Sequence, residues 1–212
     1  MKIRQINSSQ SFKSRNSTIR FADDISRKVN TIFPHYSTSR FSDFQNYNNF
    51  KTLDDSLFKK LTKLRVTIAG RCLFANNPFE KIMAVIAPVK EQKIANCFEC
   101  SELSALVAKV NGIENFKIAI AAGKDHAILL VDDKKHPYII DSWLGFADYK
   151  EKTIERFYKD FSQHFNSDNF SFQEIPEDIT IMKYLNKFST KELQEKFPML
   201  IIKNNQKIKS QP

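Results

Sequence analysis

The stretch that decides the fold runs from Asn96 to Asp141. It reads NCFECSELSALVAKVNG over 96–112, FKIAIA over 116–121, HAILLV over 126–131 and HPYIID over 136–141. Asn96 ahead of Cys97, with Glu99 three residues further on, forms a variant of the capping box, and Asn111-Gly112 is a left-handed stop, so a helix is predicted from Cys97 to about Val110. Cys100, Leu103, Leu106, Val107 and Val110 share one face of it, and Cys97 sits on the first turn beside that face. Beyond Gly112 the pattern changes to three short β-rich runs, Phe116 to Ala121, His126 to Val131 and His136 to Asp141. They are separated by Gly123-Lys124-Asp125 and by Asp132 to Lys135, the signature of an antiparallel meander.

Upstream, Leu57, Leu61, Leu64, Ile68 and Cys72 recur at helical spacing from Asp54 onward, a buried stripe in which Cys72 reads as core filler. Asn77-Pro78 caps and starts a second helix carrying Phe79, Ile82, Met83 and Ile86; Pro88 is expected to stop it, with a loop from Lys90 to Ala95. Downstream, Ile154, Phe157, Tyr158, Phe161 and Phe165 share a helix face, and Ser189-Thr190-Lys191-Glu192 is a capping box before a further short helix. Helices, then strands, then helices make an α+β domain.

The chain has 212 residues, enough for one sizeable core, with 42% apolar and 27% charged residues, 19 Phe and 4 Gly; this excludes collagen-like and wholly disordered chains. No apolar run approaches the roughly 20 residues of a membrane span, and Met1 to Gln10 lacks the apolar centre of a secretory signal. Three cysteines, an odd number, argue for free thiols in a reducing compartment rather than a disulfide framework. The net charge is +9, yet residues 51–202 hold 22 basic against 21 acidic groups. A nearly neutral folded part lacks the footprint of nucleic-acid binding. The excess of basic charge lies in 1–50, a Ser-, Asn- and Gln-rich stretch read as a largely mobile leader with a short helix near Phe21 to Phe33, and in the tail 203–212; solvated ends are the plain reading, and a tether with weak contact to anionic lipid, or to nucleic acid, the sharper one. Residues 51–202 are expected to form a single α+β domain.

A cysteine at a helix start meets unpaired amides and the positive end of the macrodipole, both of which favour the thiolate. Cys97 is so placed, and Glu99 opposes it by charge. A nucleophilic thiol needs a base, and the base needs an orienting partner. A symmetric hairpin across Asp132 to Lys135 sets Val131 opposite His136, Ile128 opposite Ile139 and His126 opposite Asp141, on one face with Cβ atoms about 5 Å apart. His136, His164 and His35 have no comparable partner and read as structural or surface residues.

Three blocks together, Asn96-Cys97-Phe98-Glu99-Cys100-Ser101-Glu102-Leu103, Asp125-His126-Ala127-Ile128-Leu129-Leu130-Val131 and Ile140-Asp141-Ser142-Trp143-Leu144-Gly145, resemble the Cys, His and Asp blocks of papain-like and transglutaminase-like thiol enzymes. The likeness, over about residues 90–146, is greatest to their bacterial effector branch, which includes protein glutamine deamidases and small cysteine proteases. It implies a helix bearing the nucleophile packed on an antiparallel sheet with flanking helices. It also implies Cys97 as nucleophile, His126 as general base and acid, Asp141 as the residue orienting the imidazole, no cofactor, and a protein substrate such as a host protein. The oxyanion is then held by the Cys97 N–H and a second donor, for which Gln92 is the candidate because a Gln upstream of the nucleophile serves so in papain-like enzymes; the alternative is an ordinary loop Gln. Trp143 is a candidate to shield the His–Asp pair, or a core aromatic. Deamidase, protease and transamidase share one thioester and are not separated by the sequence. A Lys-, Asn-, Ile- and Phe-rich composition suits an effector exported into a host cytosol, the alternative being a cytoplasmic protein. Two further classes stay open: a Cys97-x-x-Cys100 redox pair and a non-catalytic binding module. A zinc site is disfavoured, since no second C-x-x-C or His pair completes four ligands.

Overall fold

The computed structural model describes residues 17–33, 36–39, 50–52, 54–121, 126–160 and 171–203. Helix α4 (Cys97–Val110) lies at the centre, with thirteen of its fourteen residues buried. Its apolar residues are not confined to a stripe, and Ser101, Ser104, Ala105 and Ala108 are small enough to let neighbours approach all round. The buried hydroxyls of Ser101 and Ser104 are satisfied within the helix, donating to Cys97 O and Cys100 O at 2.8 Å each. The capping box at Asn96 and Glu99 is formed, and Gly112 follows the helix with φ +85°, a conformation costly for any residue with a Cβ.

Helix α4 packs on a five-stranded antiparallel sheet of β4 (Phe116–Ala121), β5 (Ala127–Val131), β6 (Tyr138–Asp141), β7 (Phe146–Tyr149) and β8 (Phe172–Glu174). The spatial order is β7-β6-β5-β4-β8, so the expected meander is present and lengthened by β7, with β8 returning to the free edge of β4. All five residues of β5 are buried, as its unbroken run Ala-Ile-Leu-Leu-Val demands of a central strand. The fold is thus mixed α+β, with seven α-helices and this sheet among the described residues.

Helix α1 (Ser17–Ile32) corrects the expectation of a leader running to residue 50. Ile19, Ala22, Ile25, Ser26 and Val29 are buried at helical spacing, and the helix packs on α4, β6 and β7. Its Asp23, also buried, accepts a hydrogen bond from Ala147 N–H of β7 at 2.7 Å, and Asn30 donates to Ser142 O at 3.1 Å. These bonds make α1 part of the domain. Residues 1–16, and with them most of the first stretch of the expected leader, lie outside the described residues, as do 204–212 of the tail.

Helices α2 (Asp55–Phe74) and α3 (Pro78–Gln92) start at Asp54 and Asn77, whose side chains accept from Leu57 N–H and Glu80 N–H. Leu61 and Leu64 of the expected α2 stripe are buried, while Leu57, Ile68 and Cys72 pack partly buried at its margin. Pro88 does not stop α3. Proline removes one helical N–H bond, whereas the Ile82, Ala84, Val85, Ile86 and Val89 side chains on either side of it are buried, and packing outweighs the lost bond. The helix ends at Lys93, left-handed at φ 52°, and the expected loop gives way to the strand β3 (Ile94–Ala95). Strand β3 pairs in parallel with β1 (Tyr36–Ser39), which pairs in parallel with β2 (Phe50–Thr52).

Helix α5 (Lys150–Asp160) carries the fully buried Phe157; Phe161 and Phe165 of the expected face fall outside the described residues. Helices α6 (Met182–Leu185) and α7 (Thr190–Lys196) follow, α7 with the expected Ser189–Glu192 capping box. The C-terminal chain is fastened to the end of α4, where Asn111 donates to Leu200 O and accepts from Ile202 N–H at 2.9 and 2.8 Å. No helix among the described residues is long and apolar enough to cross a membrane.

Candidate active site

Cys97 occupies the first position of α4 and is 5% exposed; His126 is 5% and Asp141 1% exposed. His126 Nε2 lies 2.7 Å from Asp141 Oδ2. The carboxylate is held from its other side, since Asp141 Oδ1 accepts from Leu144 N–H at 3.0 Å while Asp141 O accepts from Gly145 N–H at 2.8 Å. Gly145 closes this turn at φ +79°, which is why the run Asp141-Ser142-Trp143-Leu144 ends in glycine. The turn is tied to α4 by the Ser104–Ser142 hydroxyl pair at 2.6 Å and to α1 by Asn30.

The register of the hairpin differs from the expected one by two residues. Leu129 pairs with Ile140, Leu130 with Ile139 and Val131 with Tyr138. The loop therefore extends to Pro137, which has no N–H to give to the ladder; Asp133 folds it by accepting from Lys135 N–H at 3.0 Å. A slip of two preserves the face, where a slip of one would have reversed it. His126 and Asp141 thus become diagonal rather than directly opposed neighbours, a separation an imidazole spans. The backbone of His126, just ahead of β5, is fixed to β4 by Ala121 N–H at 2.9 Å.

Burial of the His126 ring disfavours its charge, but the Asp141 charge and hydrogen bond, assisted by the Cys97 side chain, outweigh it and raise the imidazole to about 10. Cys97 thus interacts electrostatically with the same ring. Nδ1, the nitrogen not given to Asp141, is buried without a hydrogen-bond partner of good geometry among the described residues. Trp143 lies against the ring at 4.9 Å between centroids, tilted by 44°, and Phe157 meets it edge-on at 5.6 Å. Both aromatic rings pack on the buried imidazole and are themselves buried, Trp143 at 7% and Phe157 at 0% exposure. Phe157 has no signal in the sequence beyond its helix face.

Cys100, one turn into α4, is 1% exposed; burial, then the charges of Glu99, Cys97 and Asp141, push its thiol well above the ordinary value. The oxyanion donors expected from the sequence are engaged elsewhere. Gln92 sits on the last turn of α3 and donates to Thr67 Oγ1 of α2 at 3.4 Å. The Cys97 N–H donates to Asn96 Oδ1 at 3.0 Å. Asn96 also accepts from the Glu99 N–H, and the Cys100 N–H donates to Asn96 O at 2.9 Å, so among the described residues the amide of the first turn not engaged in this way is that of Phe98.

Arg65 of α2 is a neighbour the sequence reading missed. Its Nε donates to Glu99 Oε1 at 2.8 Å, while Glu99 Oε2 accepts from Asn96 N–H at 2.9 Å. His136 is exposed and stacks edge-on near Tyr149, and His35 and His164 lie outside the described residues. Among the described residues no group of three or more His, Cys, Asp or Glu side chains is arranged to hold a metal ion. Comparison with protein-family models, curated proteins and solved structures finds no match to this chain.

Proposed function

We propose that the protein is a Cys–His–Asp thiol enzyme of papain-like or transglutaminase-like type that transfers the acyl group of a protein amide through a thioester on Cys97. The observation that carries this reading is the buried His126–Asp141 pair at 2.7 Å beside a cysteine at the start of a helix. Two buried ionisable groups in an apolar sheet are costly unless paired, strongly perturbed groups of this kind cluster at functional sites, and the raised imidazole holds its proton at neutral pH while interacting with the Cys97 side chain.

In this reading the Cys97 sulfur, its proton resident on His126, attacks the amide carbon. The oxyanion develops near the start of α4, where the dipole and the Phe98 N–H favour negative charge. His126 gives its proton to the departing amine or ammonia, and the C–N bond breaks as the thioester remains. Water then attacks the thioester, His126 takes its proton, and the acid and the Cys97 sulfur are released. Asp141 keeps the ring oriented with one nitrogen turned to the sulfur throughout. The favoured activity is glutamine deamidation of a protein by a secreted bacterial effector, the branch that the three sequence blocks resemble.

The test is intact-mass measurement of candidate host proteins incubated with the wild type and with Cys97→Ser. A Cys97-dependent gain of about one dalton marks deamidation, fragments mark proteolysis, and an amine adduct marks transamidation. The absence of any Cys97-dependent product, together with a Cys97 no more reactive than free cysteine, overturns the reading.

A further inference from the structure

The capping box that starts α4 sets up a conflict. Glu99 is 2% exposed and its carboxylate closes the box on Asn96 N–H, but it places a negative charge within one helical turn of Cys97, where it opposes a thiolate. The charged groups around the start of α4 are drawn from several elements: His126 ahead of β5, Asp141 at the end of β6, Glu99 and Glu102 on α4 itself, and Arg65 from α2. Of the two acids on α4, Glu102 is directed away, accepting from Ile181 N–H at 3.0 Å, and its burial keeps it protonated up to about 8. Glu99 is the acid that needs an answer.

Arg65 supplies it. We propose that Arg65 is a positioning residue for the nucleophile: its guanidinium neutralises Glu99, so that the carboxylate caps the helix under Cys97 without opposing the thiolate. The line of contacts is continuous, from Arg65 Nε to Glu99 at 2.8 Å, from Glu99 to Asn96 N–H at 2.9 Å, and from Asn96 Oδ1 to Cys97 N–H at 3.0 Å. Arg65 is half exposed, with 53% of its side chain accessible, whereas Glu99 is buried. For an exposed pair the stabilisation would be slight. Here one partner is removed from water, so loss of the cation leaves a buried carboxylate uncompensated. Arg65 also ties α2 to the start of α4, the end that carries Cys97. The proposal rests on the reading of Cys97 as a nucleophile, though the coupling itself is a matter of charge at the thiol.

The experiment is the pH profile of Cys97 alkylation by iodoacetamide in the full chain, followed by peptide mass at Cys97, in the wild type, Arg65→Gln, Arg65→Lys, Glu99→Gln and the double variant. Glutamine at 99 retains the capping box and discards the charge. Arg65→Gln is expected to move the midpoint of the profile up by about one pH unit, as one uncompensated charge at this range does. Glu99→Gln and the double variant should lie at or below the wild type, and Arg65→Lys between wild type and Arg65→Gln. An unmoved midpoint in Arg65→Gln, or a double variant that stays as high as Arg65→Gln, overturns the proposal; the double variant also separates charge from any loss of folding. A wild-type midpoint near that of free cysteine counts against the thiol-enzyme reading, while a shift in Arg65→Gln upholds the coupling all the same.

Discussion

Asp141 reaches His126 diagonally across the β5–β6 hairpin, Oδ2 to Nε2 at 2.7 Å, with its second oxygen held by Leu144 N–H. The carboxylate is therefore held by the backbone of its own turn as well as by the ring. Replacement by Asn keeps the shape and removes the charge. Asp141→Asn is expected to lower turnover by about 10²- to 10⁴-fold and to bring the imidazole titration down from its raised value, followed by the His126 ring signals in an NMR titration. Unchanged turnover would sink the role assigned to Asp141.

The same pair sets a dependence of stability on pH. The His126 imidazole titrates at about 10 in the folded protein, against roughly 6.5 unfolded. A raised value means that the folded state holds the proton more tightly, so its contribution is complete below about 6.5 and is lost as pH rises through 10. Urea midpoints should accordingly fall between neutral and alkaline pH in the wild type, and fall less in Asp141→Asn. Parallel slopes in the two proteins contradict the assignment.

The two thiols of α4 should part company. Cys97→Ser is expected to abolish activity and the fast phase of thiol labelling, whereas Cys100→Ser spares both, because burial and three neighbouring charges keep Cys100 protonated. Preferential labelling of Cys100, read by peptide mass after brief exposure to iodoacetamide, would favour a redox pair instead.

Asp23 offers a test of α1 as part of the domain. Asp23→Ala leaves the Ala147 N–H buried without its partner, which costs about 1–3 kcal/mol. The lowered urea midpoint should appear without a change in slope. A variant as stable as the wild type would mean that α1 contributes little.

How much of this could be read from the sequence follows from the range of each interaction. Helix α4 was legible at both ends because caps are local: Asn96, Glu99, Asn111 and Gly112 declare themselves within a few residues. The face shared by His126 and Asp141 was legible from alternation, but the register was not, since it hinges on whether Pro137 joins the strand. Helix α1 was undervalued because its partners, Ala147 and Ser142, stand more than a hundred residues away. Pro88 misled because one lost backbone bond weighs less than the packing of its neighbours. Arg65 had no signal at all: its pairing with Glu99 comes from the placing of α2 against α4, and Gln92 likewise points where α3 carries it.

The bond between Asp23 and Ala147 joins positions 124 apart in the chain. Contacts of such span form late, because the loop they close must be ordered before they repay it. As the protein emerges from the ribosome, α1, the first of the described helices, can meet α4 before the rest of its docking surface, β6 and β7, has been synthesised. A nascent chain halted short of β7 therefore carries Asn30 and the whole Asp141 turn but lacks the Ala147 N–H that fastens Asp23, so the helix bracing that turn is itself held at one point fewer.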